Sequence, residues 1–129
     1  VLEASVRKAE SVQEEHLASL RRALAAGVVC GLGTDYLSDP RSPMGANADE
    51  LVMYVEKVGL SPMEAIVCAT RNNATGLGLE DEIGTLEAGK QADLIVVDGD
   101  PLADISVLRD REKILAVYKG GKAVPRMPF

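Results

Sequence analysis

The stretch Gly84-Thr85-Leu86-Glu87-Ala88-Gly89-Lys90-Gln91 has the residue types of a phosphate-binding loop until its last position. Such a loop needs Gly-x-x-x-x-Gly-Lys followed by Ser or Thr, whose hydroxyl holds magnesium. Gln91 has no hydroxyl. The loop must also follow a strand and open a helix, so that backbone N–H groups and the helix dipole face the phosphate. Here the next residues are Ala92-Asp93-Leu94-Ile95-Val96-Val97-Asp98, and the Leu/Ile/Val run reads as a buried strand. The order predicts a strand, a glycine turn and a second strand, with no nucleotide cradle.

Four other residues are of types that do chemistry. Asp35 follows Thr34 at the end of an apolar run, and on pattern alone it reads as a turn or loop-cap carboxylate. His16, the single histidine, lies beside Leu17 and Leu20 on a helical pattern, where a half-buried or inter-helix hydrogen-bonded role is expected. Cys30 and Cys68 are isolated in apolar surroundings and read as reduced, buried thiols of an intracellular, cytoplasmic protein.

These residues need elements to position them. Val6, Ala9, Gln13, Leu17, Leu20 and Leu24 recur at helical spacing, which predicts an amphipathic helix over 3–26 that Gly27 stops. Val28 to Thr34 reads as a buried strand with Asp35 at its end, the αβ half of a parallel unit. A Pro-, Gly- and Ser-bearing loop covers 36–46. Asn47 is the expected cap of a helix with Leu51, Tyr54, Val55 and Val58 on its apolar face, ending at Gly59. Ser61-Pro62-Met63-Glu64 is a capping box with Pro at the first helical position. That helix shows a small-residue face of Ala65, Ile66, Ala69 and Thr70 and ends at Gly76 and Gly78. Strands are predicted at 83–86, 92–98 and 114–119, with Gly120-Gly121 turning into a last strand at 122–124. Residues 1–79 are thus helix and strand, and 80–129 mostly strand. The second half is too small to cover a sheet face alone, so it needs further strands.

The chain has 129 residues, 47% hydrophobic and 26% charged, which is ordinary globular usage. Aromatic residues are only 3%, so the core must be aliphatic and small-residue. The net charge of -6 argues against nucleic acid or an anionic membrane as partner. No apolar run approaches the length of a membrane span. The start at Val1, directly in a charged helical pattern and without a signal peptide, reads as a processed product or a piece of a longer chain.

Taken in order, "AGVVCGLGTD", "NADELVMYVEKVGLSPMEAIVCATRNNATGLGLEDEIGTLEAGKQADLIVVDGDPLADI" and "ILAVYKGGKAV" resemble the C-terminal end of metal-dependent hydrolases of the amidohydrolase superfamily. The nearest branch is that of imidazolonepropionases and prolidase-like dipeptidases, and the match runs over nearly all of residues 10–124. The resemblance implies an α/β fold. Residues 1–79 would be the last strand and flanking helices of a (β/α)8 TIM-like barrel, and 80–129 strands of a small companion β-sandwich. Gly84 and Gly89 would be turn glycines, Lys90 a surface charge and Asp93 the entry to a strand.

The resemblance also implies that Asp35 is both catalytic and a metal ligand. It would bind a divalent ion, usually zinc, and exchange a proton with the hydrolytic water. The family's other ligands are a His-x-His pair, a carboxylated Lys or Glu, and further histidines on earlier strands, and no segment of this sequence corresponds to those strands. A zinc site needs about three protein ligands. Relatives often carry a His before an Asn in the loop after the catalytic Asp; here Met44 stands near that place. The expectation is therefore part of a hydrolase of C–N bonds in a small-molecule substrate (dipeptide, amide or cyclic amide), inactive by itself and prone to self-association. The alternative is a non-catalytic binding or assembly module that completes a partner chain.

Overall fold

The computed structural model describes residues 2–34 and 46–125, with side chains in the first ten residues described at Lys8 alone. Helix α1 spans Leu2–Ala25. It ends where Gly27 turns left-handed, with Gly27 N–H donating to Leu24 O and Val28 N–H to Ala23 O, a Schellman close. Helix α2, Asp49–Met53, continues through one wide π-wound turn, Tyr54–Val58, to Gly59. Its cap position is Ala48, with no side-chain capping bond, so the predicted Asn47 cap is not the one used. Helix α3, Pro62–Val67, opens with the predicted box: Ser61 accepts from Glu64 N–H and the Glu64 carboxylate accepts from Ser61 N–H. A second π turn, Cys68–Asn72, links it to α4, Asn73–Leu77, which ends at Gly78.

The hydrophobic core is small and lies where α1 meets these helices. Leu17, Tyr54, Val58, Ala65 and Cys68 are buried, with Leu20, Leu24, Leu32 and Leu51 packed against them. Ala65 is fully covered, as the small-residue face requires for close approach. Arg21 of α1 donates from Nε to Val58 O (3.2 Å) and from a terminal nitrogen to Lys57 O, satisfying the open carbonyls at the end of the π turn.

The second half carries a three-stranded antiparallel sheet in the order β1 (Leu94–Val97), β2 (Ile114–Lys119), β3 (Lys122–Ala123). Leu94 faces Tyr118 and Val96 faces Ala116, with a register shift between Val96 and Val97. Two short 3-10 turns, Ile105–Arg109 and Arg111–Lys113, cross between β1 and β2. Ile105 is buried, and Arg109 Nε meets Asp49 Oδ1 of α2 at 2.5 Å. The strand predicted at 83–86 is a turn instead. Gly84 sits there against α4, where a Cβ would lie 2.6 Å from that of Ala74, so a side chain needed for strand packing has no room.

The strand predicted at 28–34 is not formed either. Among the described residues the three strands pair only with one another, and 28–34 takes no regular secondary structure. Val28 and Val29 are 54% and 66% exposed. A barrel strand is defined by neighbours on its edges, and among the described residues none lies beside this segment. No described helix is long and apolar enough to cross a membrane.

Candidate functional site

Residues 28–34 are the last described residues before Asp35, and helix side chains hold their backbone. Three helix side chains do so. The Asn73 amide accepts from Leu32 N–H at 2.9 Å and donates to Leu32 O at 2.7 Å. It also donates to Ala69 O of its own helix at 3.3 Å. Asn72 Nδ2 donates to Cys30 O at 3.0 Å, and the Tyr54 hydroxyl donates to Gly31 O at 2.9 Å. Three successive carbonyls, those of Cys30, Gly31 and Leu32, are therefore claimed by side chains rather than by a neighbouring strand.

Local sequence explains the arrangement. The π turn at Cys68–Asn72 hands directly on to α4, so the adjacent residues Asn72 and Asn73 both reach the 30–32 backbone. Gly31 leaves the space they need: a Cβ there would stand 2.2 Å from Asn73 Oδ1. Burial, followed by the neighbouring Cys68, Glu50 and Cys30, raises the Tyr54 phenol above its ordinary value and keeps it a donor. Burial likewise raises the Cys68 thiol, with Cys30 adding to the effect; both cysteines are free. Glu50 is raised by burial first and then by Asp49.

Asp35 and Met44 lie outside the described residues. Among the described residues no three His, Cys, Asp or Glu side chains converge where a metal ion could be held. His16 is exposed, not half-buried. The buried stripe of α1 runs through Leu17, and one residue along a helix turns the side chain by roughly 100°.

Lys90 is no free surface charge. Its side chain is 15% exposed, and its ammonium donates to Glu80 O (2.5 Å) and Thr85 Oγ1 (2.7 Å), pinning the 80–90 loop. The loop precedes strand β1 and opens no helix. Asp93, at the entry to β1, accepts from Gly120 N–H (2.6 Å) and from Lys119 Nζ, tying β1 to the β2–β3 turn.

Asn72, Asn73 and Tyr54 are the site residues that sequence reasoning misses. Two adjacent asparagines inside a helical pattern are a visible signal, because Asn favours caps and turns over helix interiors. Their target is not visible.

The amidohydrolase family profile matches residues 2–124. Ochratoxinase of Aspergillus niger is 37% identical over 116 residues, covering 89% of this chain and 23% of that protein. Imidazolonepropionase of Rubrobacter xylanophilus is 35% identical over 106 residues, covering 81% of this chain and 25% of that protein. A crystal structure of a Xaa-Pro dipeptidase with methionine bound in its active site superposes with a TM-score of 0.78 at 39% identity, over 92% of this chain and 27% of that one. The chain thus spans about a quarter of the relatives it matches.

Proposed function

Because the chain belongs to the amidohydrolase family, we propose that it serves a hydrolase of C–N bonds in a small molecule, such as a dipeptide, an amide or a cyclic amide. Its relatives include an imidazolonepropionase and a Xaa-Pro dipeptidase, and they match it over most of its length. That breadth of match carries the reading. In it, residues 1–79 contribute the last strand and flanking helices of a barrel, and 80–129 contribute strands to a companion sandwich. The exposed apolar residues Val28, Val29, Ile95 and Leu115 are then surfaces that other chain covers, and they favour self-association when bare.

Asp35 is the catalytic residue in this reading. Its carboxylate takes the proton of the water that attacks the carbonyl, and it is also the ligand this sequence offers to a divalent ion, zinc before others. Such an ion would lower the pKa of a bound water toward neutrality. The described residues do not form a site for it, and one carboxylate falls short of the roughly three protein ligands a zinc site needs. The 129 residues alone are therefore expected to have no turnover.

The test uses the enzyme that contains this sequence, assayed with zinc on a panel of dipeptides, amides and cyclic amides. Asp35→Asn is expected to lower turnover at least 100-fold, in line with loss of a positioned proton acceptor, roughly a 10²–10⁴-fold effect. The fold should survive. Near-normal turnover with Asn at this position would sink the reading.

A further inference from the structure

We propose that Cys30 and Cys68 form a redox-sensitive pair, which a hydroperoxide closes to a disulfide that ties segment 28–34 covalently to the π turn between α3 and α4. Both cysteines are free thiols. One nitrogen joins their surroundings. Asn72 Nδ2 donates to Cys30 O at 3.0 Å and to Cys68 Sγ at 3.8 Å, so a single amide bridges the backbone of the first cysteine and the sulfur of the second. Tyr54 holds the same two neighbours from another side. Its ring shares the buried cluster with Cys68, and its hydroxyl donates to Gly31 O, next to Cys30. Leu32, on the other side of Gly31, packs against that cluster too. The thiols also feel one another, since Cys30 adds to the rise that burial gives the Cys68 thiol.

Disulfide geometry is narrow, with Cβ atoms about 3.8 Å apart, so one partner must be able to adjust. Segment 28–34 belongs to no ladder of strands, and the bond that gives way at Cys30 is that of one asparagine. Exposure orders the chemistry. Cys30 is half-buried and Cys68 is 3% exposed, so a peroxide meets Cys30 first. The Cys30 thiolate attacks one peroxide oxygen, the O–O bond breaks, and a sulfenic acid forms as hydroxide leaves. The Cys68 sulfur then attacks the Cys30 sulfur. The S–S bond forms, the S–O bond breaks, and the Cys68 proton departs with the hydroxyl as water. The two thiols lose two electrons and the peroxide is reduced by two. A buried thiol with a raised pKa is a poor first nucleophile, which suits Cys68 to the second step. A dithiol reductant reverses the link.

The test treats the enzyme that contains this sequence with hydrogen peroxide, blocks the remaining thiols by alkylation, and maps tryptic peptides without reduction. Cleavage after Arg22, Arg41, Lys57 and Arg71 puts Cys30 in peptide 23–41 and Cys68 in peptide 58–71. The two peptides should appear joined, lighter than their sum by two hydrogens, and should separate on reduction with dithiothreitol. Deuterium uptake across 28–34 should fall in the oxidised enzyme. Cys68→Ala should leave Cys30 as a sulfenic acid that dimedone traps, and Cys30→Ser, which spares the core should Cys68→Ala not fold, should leave Cys68 alkylated. Asn72→Ala should slow the link about fivefold, the effect of one lost hydrogen bond. Recovery of both cysteines as alkylated thiols, a link from either one to a different cysteine, or oxidised Cys30 with Cys68 still free would each overturn the proposal. An unchanged rate in Asn72→Ala would overturn the part given to the shared amide.

Discussion

Residues 28–34 and the β1–β2–β3 sheet are both short runs of Val, Leu and Ile, yet they settle their backbone in opposite ways. The sheet pairs its own strands, Leu94 with Tyr118 and Tyr118 with Ala123, through a turn at Gly120-Gly121. Within 28–34, the 30–32 backbone takes its bonds from Asn72, Asn73 and Tyr54. A ladder spreads its hold over many equivalent bonds, so losing one side chain costs it little. A side-chain clamp concentrates its hold in a few atoms, and each of them is a point of failure.

The sharpest way to break this contrast is Gly31→Ala. The new methyl would displace an amide oxygen that is 2.2 Å away and already bonded to Leu32. Losing the two bonds to Leu32 should cost about 2 kcal/mol, at about 1 kcal/mol net each, read as a lower urea midpoint. An equal loss from Leu115→Ala, on the exposed face of β2, would erase the distinction.

Tyr54→Phe is the next step down. The ring keeps its place in the core, but Gly31 O loses its donor. About 1 kcal/mol of stability should go, with faster amide exchange in 28–34 and none of it in the sheet. Unchanged exchange across 28–34 would show that the hydroxyl does not hold the segment.

The smallest effect belongs to the sheet and depends on pH. Lys119 first, then Gly120 N–H, hold the Asp93 carboxylate below its ordinary 3.8. A group lowered in the folded state contributes in full above its unfolded pKa and loses that contribution as pH falls through the folded value. The β2–β3 turn should therefore loosen only below about pH 4, seen as a change in the Gly120 amide signal. Asp93→Asn should flatten that titration; an unaltered profile would assign it to another carboxylate.

Much of the helical half is legible in the sequence. Gly27, Gly59 and Gly78 stand where α1, the first π turn and α4 end, and the Ser61–Glu64 box opens α3. The hairpin is legible for the same reason, because Gly120-Gly121 is a local signal and β2 matches its predicted span from Ile114 to Lys119. Residues 28–34 mislead because apolar composition reports a wish for burial, not the presence of a partner strand. The Asn72–Asn73 clamp cannot be read at all from local pattern, since nothing near either asparagine names Cys30 or Leu32. Lys90 misleads in a different way: its charge suggests solvent, and only the folded loop brings Glu80 O and Thr85 to it. The role of Asp35 is an expectation from resemblance, and the residue lies outside the described ones.

The distance along the chain between Asn73 and Leu32 also fixes an order of events. The two are 41 residues apart, and the amide cannot close on Leu32 until the turn at Cys68–Asn72 has wound and carried it into place. Closing so long a loop is slower and costs more entropy than forming a helix or a tight hairpin. During synthesis Leu32 leaves the ribosome well before the asparagine that holds it. Local helices and the glycine hairpin can form early, while the 30–32 backbone is among the last parts to take shape.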